Sequence, residues 1–258
     1  MAEKEDQMTP GKVPEKAGTL SSEEEDRSRE EQETKAKNYD FLNEDAIQGA
    51  TLFTGSSLME FFPVAELARS AGLKQVIYNR GIGGTTSDDF LARIHTVLLD
   101  LQPSAVFINI GTNDMTRKRY GDAWMDHLMN NYNLIIRTAC EKIPGVEIYM
   151  MAYYPTNRHL PDQKPWQVEM LRERTPENIE ECNRRVKKIA EKYGQHYIDV
   201  NAGLTDENGE QKTEFAIDGV HMYANAYRIV FRNLLPYLKK YEKRERRCRD
   251  ELRGDQSL

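Results

Sequence analysis

Asp218-Gly219-Val220-His221 places a carboxylate three residues ahead of an imidazole. That step lets one turn of backbone supply a general base together with the group that orients it. A serine nucleophile needs such a pair, because its hydroxyl is unreactive at neutral pH without an adjacent base. Candidate serines stand upstream in Gly55-Ser56-Ser57, followed by Gly81-Ile82-Gly83-Gly84 and Gly111-Thr112-Asn113-Asp114. Glycine lets backbone N–H groups approach a substrate oxygen closely, and an asparagine amide is a donor for charge that develops in acyl transfer. Each segment alone is common. Serine is a frequent helix N-cap, asparagine caps turns, and glycine clusters make ordinary loops. Four such segments in this order, each beyond a predicted strand, are a specific signal.

Rival chemistries fit poorly. The glycine run 81–84 lacks the last glycine of G-x-G-x-x-G and any lysine in P-loop position. Gly55-Ser56-Ser57-Leu58-Met59 lacks the second glycine of the G-x-S-x-G elbow. His95, His127, His159 and His196 have no acid at the Asp218/His221 step and form no H-E-x-x-H pattern. Cys140, Cys182 and Cys248 are odd in number and lack metal or disulfide spacing, so they read as reduced thiols of a cytoplasmic protein. The first thirty residues hold no apolar stretch of signal-peptide type, and no run approaches a membrane span. The net charge of −6 carries no nucleic-acid signature.

The elements that must hold these residues alternate strand and helix. Strands are predicted at 50–54, 75–78, 105–110, 146–152 and 196–200. The third, Ala-Val-Phe-Ile-Asn-Ile between Pro103 and Gly111, is the clearest buried strand. Helices are predicted over 58–71, closing at Gly72, and over 85–101, ending before Pro103. Trp124, Leu128, Tyr132, Ile135 and Ala139 recur at helical spacing and predict a helix over about 121–142. Pro176 suits the first turn of another that runs to Tyr193. A last helix follows His221, and Pro236 is expected to kink or end it. The alternation implies a three-layer α/β/α domain around a mostly parallel sheet, in which ligands bind at the carboxyl ends of the strands. The serine, glycine and asparagine segments therefore share one edge.

With these segments in place, the chain resembles the SGNH (GDSL-like) hydrolase family over roughly 48–238. The family's blocks are named for Ser, Gly, Asn and His and match Gly55-Ser56-Ser57, Gly84, Gly111-Thr112-Asn113-Asp114 and Asp218-Gly219-Val220-His221. The resemblance implies a flavodoxin-like, five-stranded parallel sheet. It implies Ser57 as nucleophile, His221 as base and Asp218 as its orienter. Gly84 through its N–H and Asn113 through its side chain become oxyanion donors beside the Ser57 N–H. The family pattern is Gly-Asp-Ser, and Ser56 occupies the Asp place. No metal or cofactor is implied. The partner implied is a small-molecule ester with a short acyl group, acetyl foremost and often on carbohydrate. Lysophospholipase or acyl-thioesterase activity remains open, as does a binding module that kept the fold without turnover.

The flanks differ in composition. Residues 1–37 hold eleven acids and seven bases, with Met1, Met8, Val13 and Leu20 as the large apolar residues. Such a segment buries too little surface to offset its ordering entropy, so 1–40 is expected to be a disordered acidic leader before a domain over 41–238. Residues 239–258 hold eight bases and five acids and are expected to form a solvated helical extension or tail. Between the fourth strand and residue 176 lies a charged stretch with Arg158, His159, Trp166 and Arg172. With Tyr153 and Tyr154 before it, this stretch reads either as a substrate wall or as packing and solvated charge.

Overall fold

The computed structural model describes residues 22–254, with side chains over 26–242. Its strands are β1 (Thr51–Gly55), β2 (Ile77–Asn79), β3 (Ala105–Asn109), β4 (Glu147–Met151) and β5 (His196–Ile198). They form one parallel sheet in the order β2-β1-β3-β4-β5, the flavodoxin-like arrangement expected. In chain order the helices are α1 (Ser22–Glu44), α2 (Ser57–Glu60), α3 (Val64–Ser70), α4 (Ser87–Ala92), α5 (Ile94–Val97), α6 (Arg117–Tyr120), α7 (Trp124–Lys142), α8 (Pro165–Leu171), α9 (Pro176–Lys192) and α10 (Ala224–Gly254). No described helix is long and apolar enough to cross a membrane.

Pleating divides the strand side chains between two cores, because successive residues point to opposite faces. Leu52, Val106, Ile108, Ile148 and Met150 face α7 and α9, where Leu128, Tyr132, Ile135, Cys182 and Val186 meet them. Phe53, Phe107, Tyr149 and Met151 face α2, α3 and α10, packing on Met59, Ala68, Tyr227, Val230 and Leu234. On this second face the rings stack across neighbouring strands, Phe53 on Phe107 at 4.7 Å and Phe107 on Tyr149 at 4.6 Å. Burial on both sides explains why β3 reads as a continuous apolar run.

Several expectations change. The helix expected over 58–71 is two pieces, α2 and α3, because Pro63 supplies no N–H and disfavours helical backbone at Phe62. The helix expected over 85–101 begins at Ser87, where Thr86 and Asp89 form a reciprocal capping box. It breaks at Arg93 (φ −114°) and finishes as a 3₁₀ turn over Leu99–Leu101. Pro236 does not end α10. Leu234 and Leu238 on either side of it are fully buried. At about 1.5–3 kcal/mol each, their burial outweighs the ~3 kcal/mol cost of an internal proline. Basic residues from Lys239 onward continue α10 as far as Gly254.

The largest correction concerns the acidic leader. Residues 1–21 lie outside the described residues, but from Ser22 the chain is α1. This helix is held mostly by polar contacts, which composition does not register. Tyr39 donates to the Gly81 carbonyl at 3.0 Å. The Asn43 amide donates to the Thr96 carbonyl at 2.8 Å and accepts from Arg80 Nε at 2.9 Å. The Arg80 guanidinium also lies over the Tyr39 ring at 4.9 Å.

Phe107 is fully buried at the centre of the ring stack. We expect Phe107→Ala to lower the unfolding free energy by about 3–5 kcal/mol, measured by urea titration. A loss under about 1 kcal/mol would contradict the packing described.

Candidate active site

The site begins with a close approach of two strands. Gly55 (φ +150°) ends β1 so near β3 that a Cβ there would lie 2.0 Å from the Asn109 carbonyl oxygen. Ser56 is extended, and its carbonyl accepts the N–H groups of Met59 and Glu60, which opens α2 with Ser57 as its first helical residue. The leading N–H groups of a helix have no partner within it, so Ser57 stands where negative charge is favoured. The Ser56 hydroxyl, in the place of the family's Asp, is buried with no partner among the described residues.

Ser57 Oγ lies 2.8 Å from His221 Nε2. On the other side of the ring, His221 Nδ1 lies 2.6 Å from Asp218 Oδ2. The Asp218 Oδ1 accepts the backbone N–H groups of Val220 at 3.0 Å and His221 at 2.8 Å. With Nδ1–H directed at a carboxylate, the unprotonated Nε2 is left to accept from the serine hydroxyl. The turn between acid and base requires Gly219 (φ +93°), where a Cβ would lie 2.4 Å from the Asn157 carbonyl oxygen. Burial would raise the Asp218 pKa, but the hydrogen bond and charge of His221 and the two backbone N–H groups overcome it and hold the carboxyl down at about 2. Asp218 is therefore an anion throughout the neutral range. Phe61, half exposed, tilts over the imidazole with ring centres 5.4 Å apart.

The glycine and asparagine segments meet beside Ser57. A Cβ on Gly83 would lie 3.8 Å from that of Ser57, and the Gly83 N–H is taken by Glu60 Oε2 at 2.5 Å. The Gly84 N–H has no hydrogen-bond partner among the described residues. Asn113 sits in a 3₁₀ turn after Gly111, whose φ of +117° and crowding by Leu128 and Tyr153 leave no room for a side chain. One Asn113 Nδ2 hydrogen bonds to the Thr85 carbonyl at 3.0 Å, which ties the asparagine loop to the glycine loop. Its Oδ1 receives Arg174 Nη2 at 3.4 Å. Arginine only donates, so this contact fixes which way the amide faces. The second Nδ2 hydrogen has no partner among the described residues.

Of the residues that the sequence singled out, the structure joins Ser57, His221 and Asp218 by hydrogen bonds, sets the loop of Gly83 and Gly84 against Ser57, and ties Asn113 to that loop through Thr85. It also adds residues that carried no signal. Glu60 pairs with Lys35 of α1 and holds Gly83. Gln32 of α1 presses against Gly84, with Nε2 only 2.8 Å from where a Cβ would stand. Arg174 joins from the stretch after β4. Of the residues highlighted in that stretch, His159 pairs with Glu210, Arg172 pairs with Glu169, and Trp166 stands exposed. Tyr153 and Tyr154 are buried, and Tyr153 donates to the Ile110 carbonyl at 2.8 Å, so the packing alternative holds for both.

A model of the GDSL-like lipase/acylhydrolase family matches residues 49–229. Among curated proteins none matches the sequence. Solved structures do. A protein from Streptococcus pneumonia, provisionally described as a platelet activating factor, is 28% identical with a TM-score of 0.73, over 83% of this chain and 95% of that one. A GDSL-like lipase from Bacteroides thetaiotaomicron is 22% identical with a TM-score of 0.65, over 80% and 98% of the two chains. An acetylxylan esterase from Geobacillus stearothermophilus is 19% identical with a TM-score of 0.55, over 74% and 94%. The last two similarities speak to the fold alone.

Asp114, next to Asn113, is fully buried and takes the N–H and hydroxyl of Ser87. Burial pushes its carboxyl up to about 6, against the lowering pull of the Ser87 hydrogen bonds, and the charge of Asp88 adds to the rise. A carboxyl raised on folding stabilises most below its unfolded pKa, and that contribution is lost as pH rises through the folded value. We expect the stability of Asp114→Asn relative to the parent protein to improve by roughly 2–3 kcal/mol between pH 4 and pH 7. Urea midpoints across that range measure it, and a pH-independent difference would refute the assignment.

Proposed function

The chain belongs to the GDSL-like lipase/acylhydrolase family, and from that premise we propose that it is a serine ester hydrolase working through an acyl-enzyme. The observation that carries the reading is the unbroken relay Ser57–His221–Asp218, with contacts of 2.8 and 2.6 Å. His221 takes the Ser57 proton as Oγ attacks the ester carbonyl, and Asp218 stabilises the imidazolium that forms. The carbonyl oxygen becomes an oxyanion facing the N–H groups of Ser57 and Gly84 and the unclaimed N–H of Asn113. Losing one such donor typically costs about 2.7–4 kcal/mol of transition-state stabilisation. As the tetrahedral intermediate collapses, the C–O bond breaks and His221 returns the proton to the departing alcohol. Water, deprotonated by the same imidazole, then clears the acyl group. Each proton and electron pair comes from substrate, water or these side chains, so the reading requires no cofactor or metal.

The substrate proposed is a short acyl ester, acetyl foremost, with carbohydrate as the alcohol. The likeness in fold to an acetylxylan esterase supports it. So does the exposed Phe61 ring beside His221, because the leaving alcohol departs on the imidazole side and a sugar ring stacks on an aromatic face. The alternative of longer acyl chains, as in a lysophospholipase or thioesterase, draws on the half-exposed apolar surface of Phe61 and of Ile217, whose N–H donates to the His221 carbonyl. The free thiols of Cys140 and Cys182 support a cytoplasmic setting.

Replacing Ser57 by Ala is expected to abolish turnover of p-nitrophenyl acetate and labelling by a fluorophosphonate probe. Unchanged turnover would remove Ser57 as the nucleophile, and an unlabelled parent protein would favour a binding module. Across acetyl, butyryl and octanoyl esters, kcat/KM is expected to fall with length. A rise toward octanoyl would transfer the assignment to the longer-chain class.

A further inference from the structure

Arg174 is a cation held where a cation is costly. It is 6% exposed. Its Nε donates to the Thr112 carbonyl at 3.0 Å, its Nη1 to the Met170 carbonyl at 2.9 Å and its Nη2 to Asn113 Oδ1 at 3.4 Å. Its own carbonyl accepts the Thr156 hydroxyl at 2.9 Å, which pins the residue in place. No carboxylate lies within ion-pair distance of it among the described residues. The charges of Asp218 and Asp114 act on it at longer range. Burial lowers its pKa to about 10, so it is charged at neutral pH.

We propose that Arg174 is a positioning residue for acyl transfer, holding the Asn113 amide with an N–H toward the oxyanion and lending that donor its positive charge. The proposal rests on the serine esterase reading above. If Arg174 served only to tie two loops, a neutral donor would bridge the Thr112 and Met170 carbonyls without the desolvation cost of burying an ion that has no ion-pair partner. A neutral donor would not polarise Asn113. A guanidinium bonded to the amide oxygen draws electron density from the amide nitrogen, and hydrogen bonds linked in series strengthen one another in a low-dielectric site. The chain runs from Arg174 through Asn113 to the substrate oxygen. It gains most when that oxygen carries a full negative charge, so its effect falls on the transition state rather than on substrate binding.

The test is a double-mutant cycle on the full chain with p-nitrophenyl acetate, using Arg174→Gln, Asn113→Ala and the pair, with Arg174→Lys as the conservative variant. Arg174→Gln is expected to lower kcat on the order of 10–100-fold, less than the 10²–10³ lost with a whole oxyanion donor, and to leave KM within about twofold. In the Asn113→Ala background the same change is expected to cost less than about threefold, because the residue it acts through is gone. Arg174→Lys keeps the charge without the fork and is expected to recover part of kcat. Equal losses in both backgrounds, or a raised KM at constant kcat, would overturn the proposal. Should thermal melting show Arg174→Gln unfolded, the cycle is run with Arg174→Lys, and the same two outcomes decide. Fluorophosphonate labelling of Ser57 in the parent protein separates the two levels. An unlabelled parent defeats the esterase reading, whereas a labelled parent with an additive cycle defeats the role of Arg174 alone.

Discussion

The contact between Gly55 and Asn109 is the constraint on which the rest of the site depends. At the carboxyl end of β1 the chain comes so close to β3 that no side chain fits at Gly55. Around this point the backbones of four strands are fastened. The Gly55 carbonyl accepts the Ile82 N–H beyond β2, and the Asn109 carbonyl accepts the Ser56 N–H beyond β1. The Asn109 amide reaches across to the Met151 and Ala152 carbonyls at the end of β4. The loops carrying Ser57, Gly84 and Asn113 therefore leave one rigid edge in fixed relation. The proposed oxyanion site depends on this rigidity, since an electrostatic site works only when its donors are already in place.

Charge is handled at this edge by letting hydrogen bonds compete with burial. Asp218 loses water but gains the His221 ring and two backbone N–H groups, and its charged form wins. Asp114 gains only the two groups of Ser87 at greater depth, and burial wins. Arg174 stays cationic on three carbonyl-type oxygens. The two aspartates thus shift in opposite directions because burial depth, facing donors and neighbouring charge differ, not because the side chains differ.

Helix α1 shows how composition misleads when a segment folds onto a ready-made surface. Its acidic, apolar-poor sequence could not form a core of its own. Docked on the domain it needs little apolar burial, because Tyr39, Asn43 and Lys35 meet carbonyls and charges already fixed by the sheet. These contacts fall on Gly81, Arg80 and Glu60, around the loop that carries Gly84. The leader expected to be separate from the site instead forms part of the support for the loop that carries Gly84.

Much of the fold and the family were legible in the sequence. Strand-helix alternation determined the parallel sheet, because buried parallel strands must be apolar on both faces and their crossovers must be helical. The Asp218-to-His221 step determined the carboxylate–imidazole contact, because its geometry is set within one glycine turn. Helix ends were less legible where local backbone decided, as at Pro63 and Arg93, or where tertiary burial overrode the local rule, as at Pro236. Residues whose role depends on partners far along the chain left no trace in spacing. Glu60 reaches Lys35 and Gly83, and Arg174 reaches Thr112 and Asn113, across separations that only folding closes. The sequence by itself therefore determined the family resemblance and the residues that carry it, since both follow from short-range patterns. Tertiary structure alone decided what surrounds and charges those residues, since hydrogen bonds and burial depend on where the backbone returns in space.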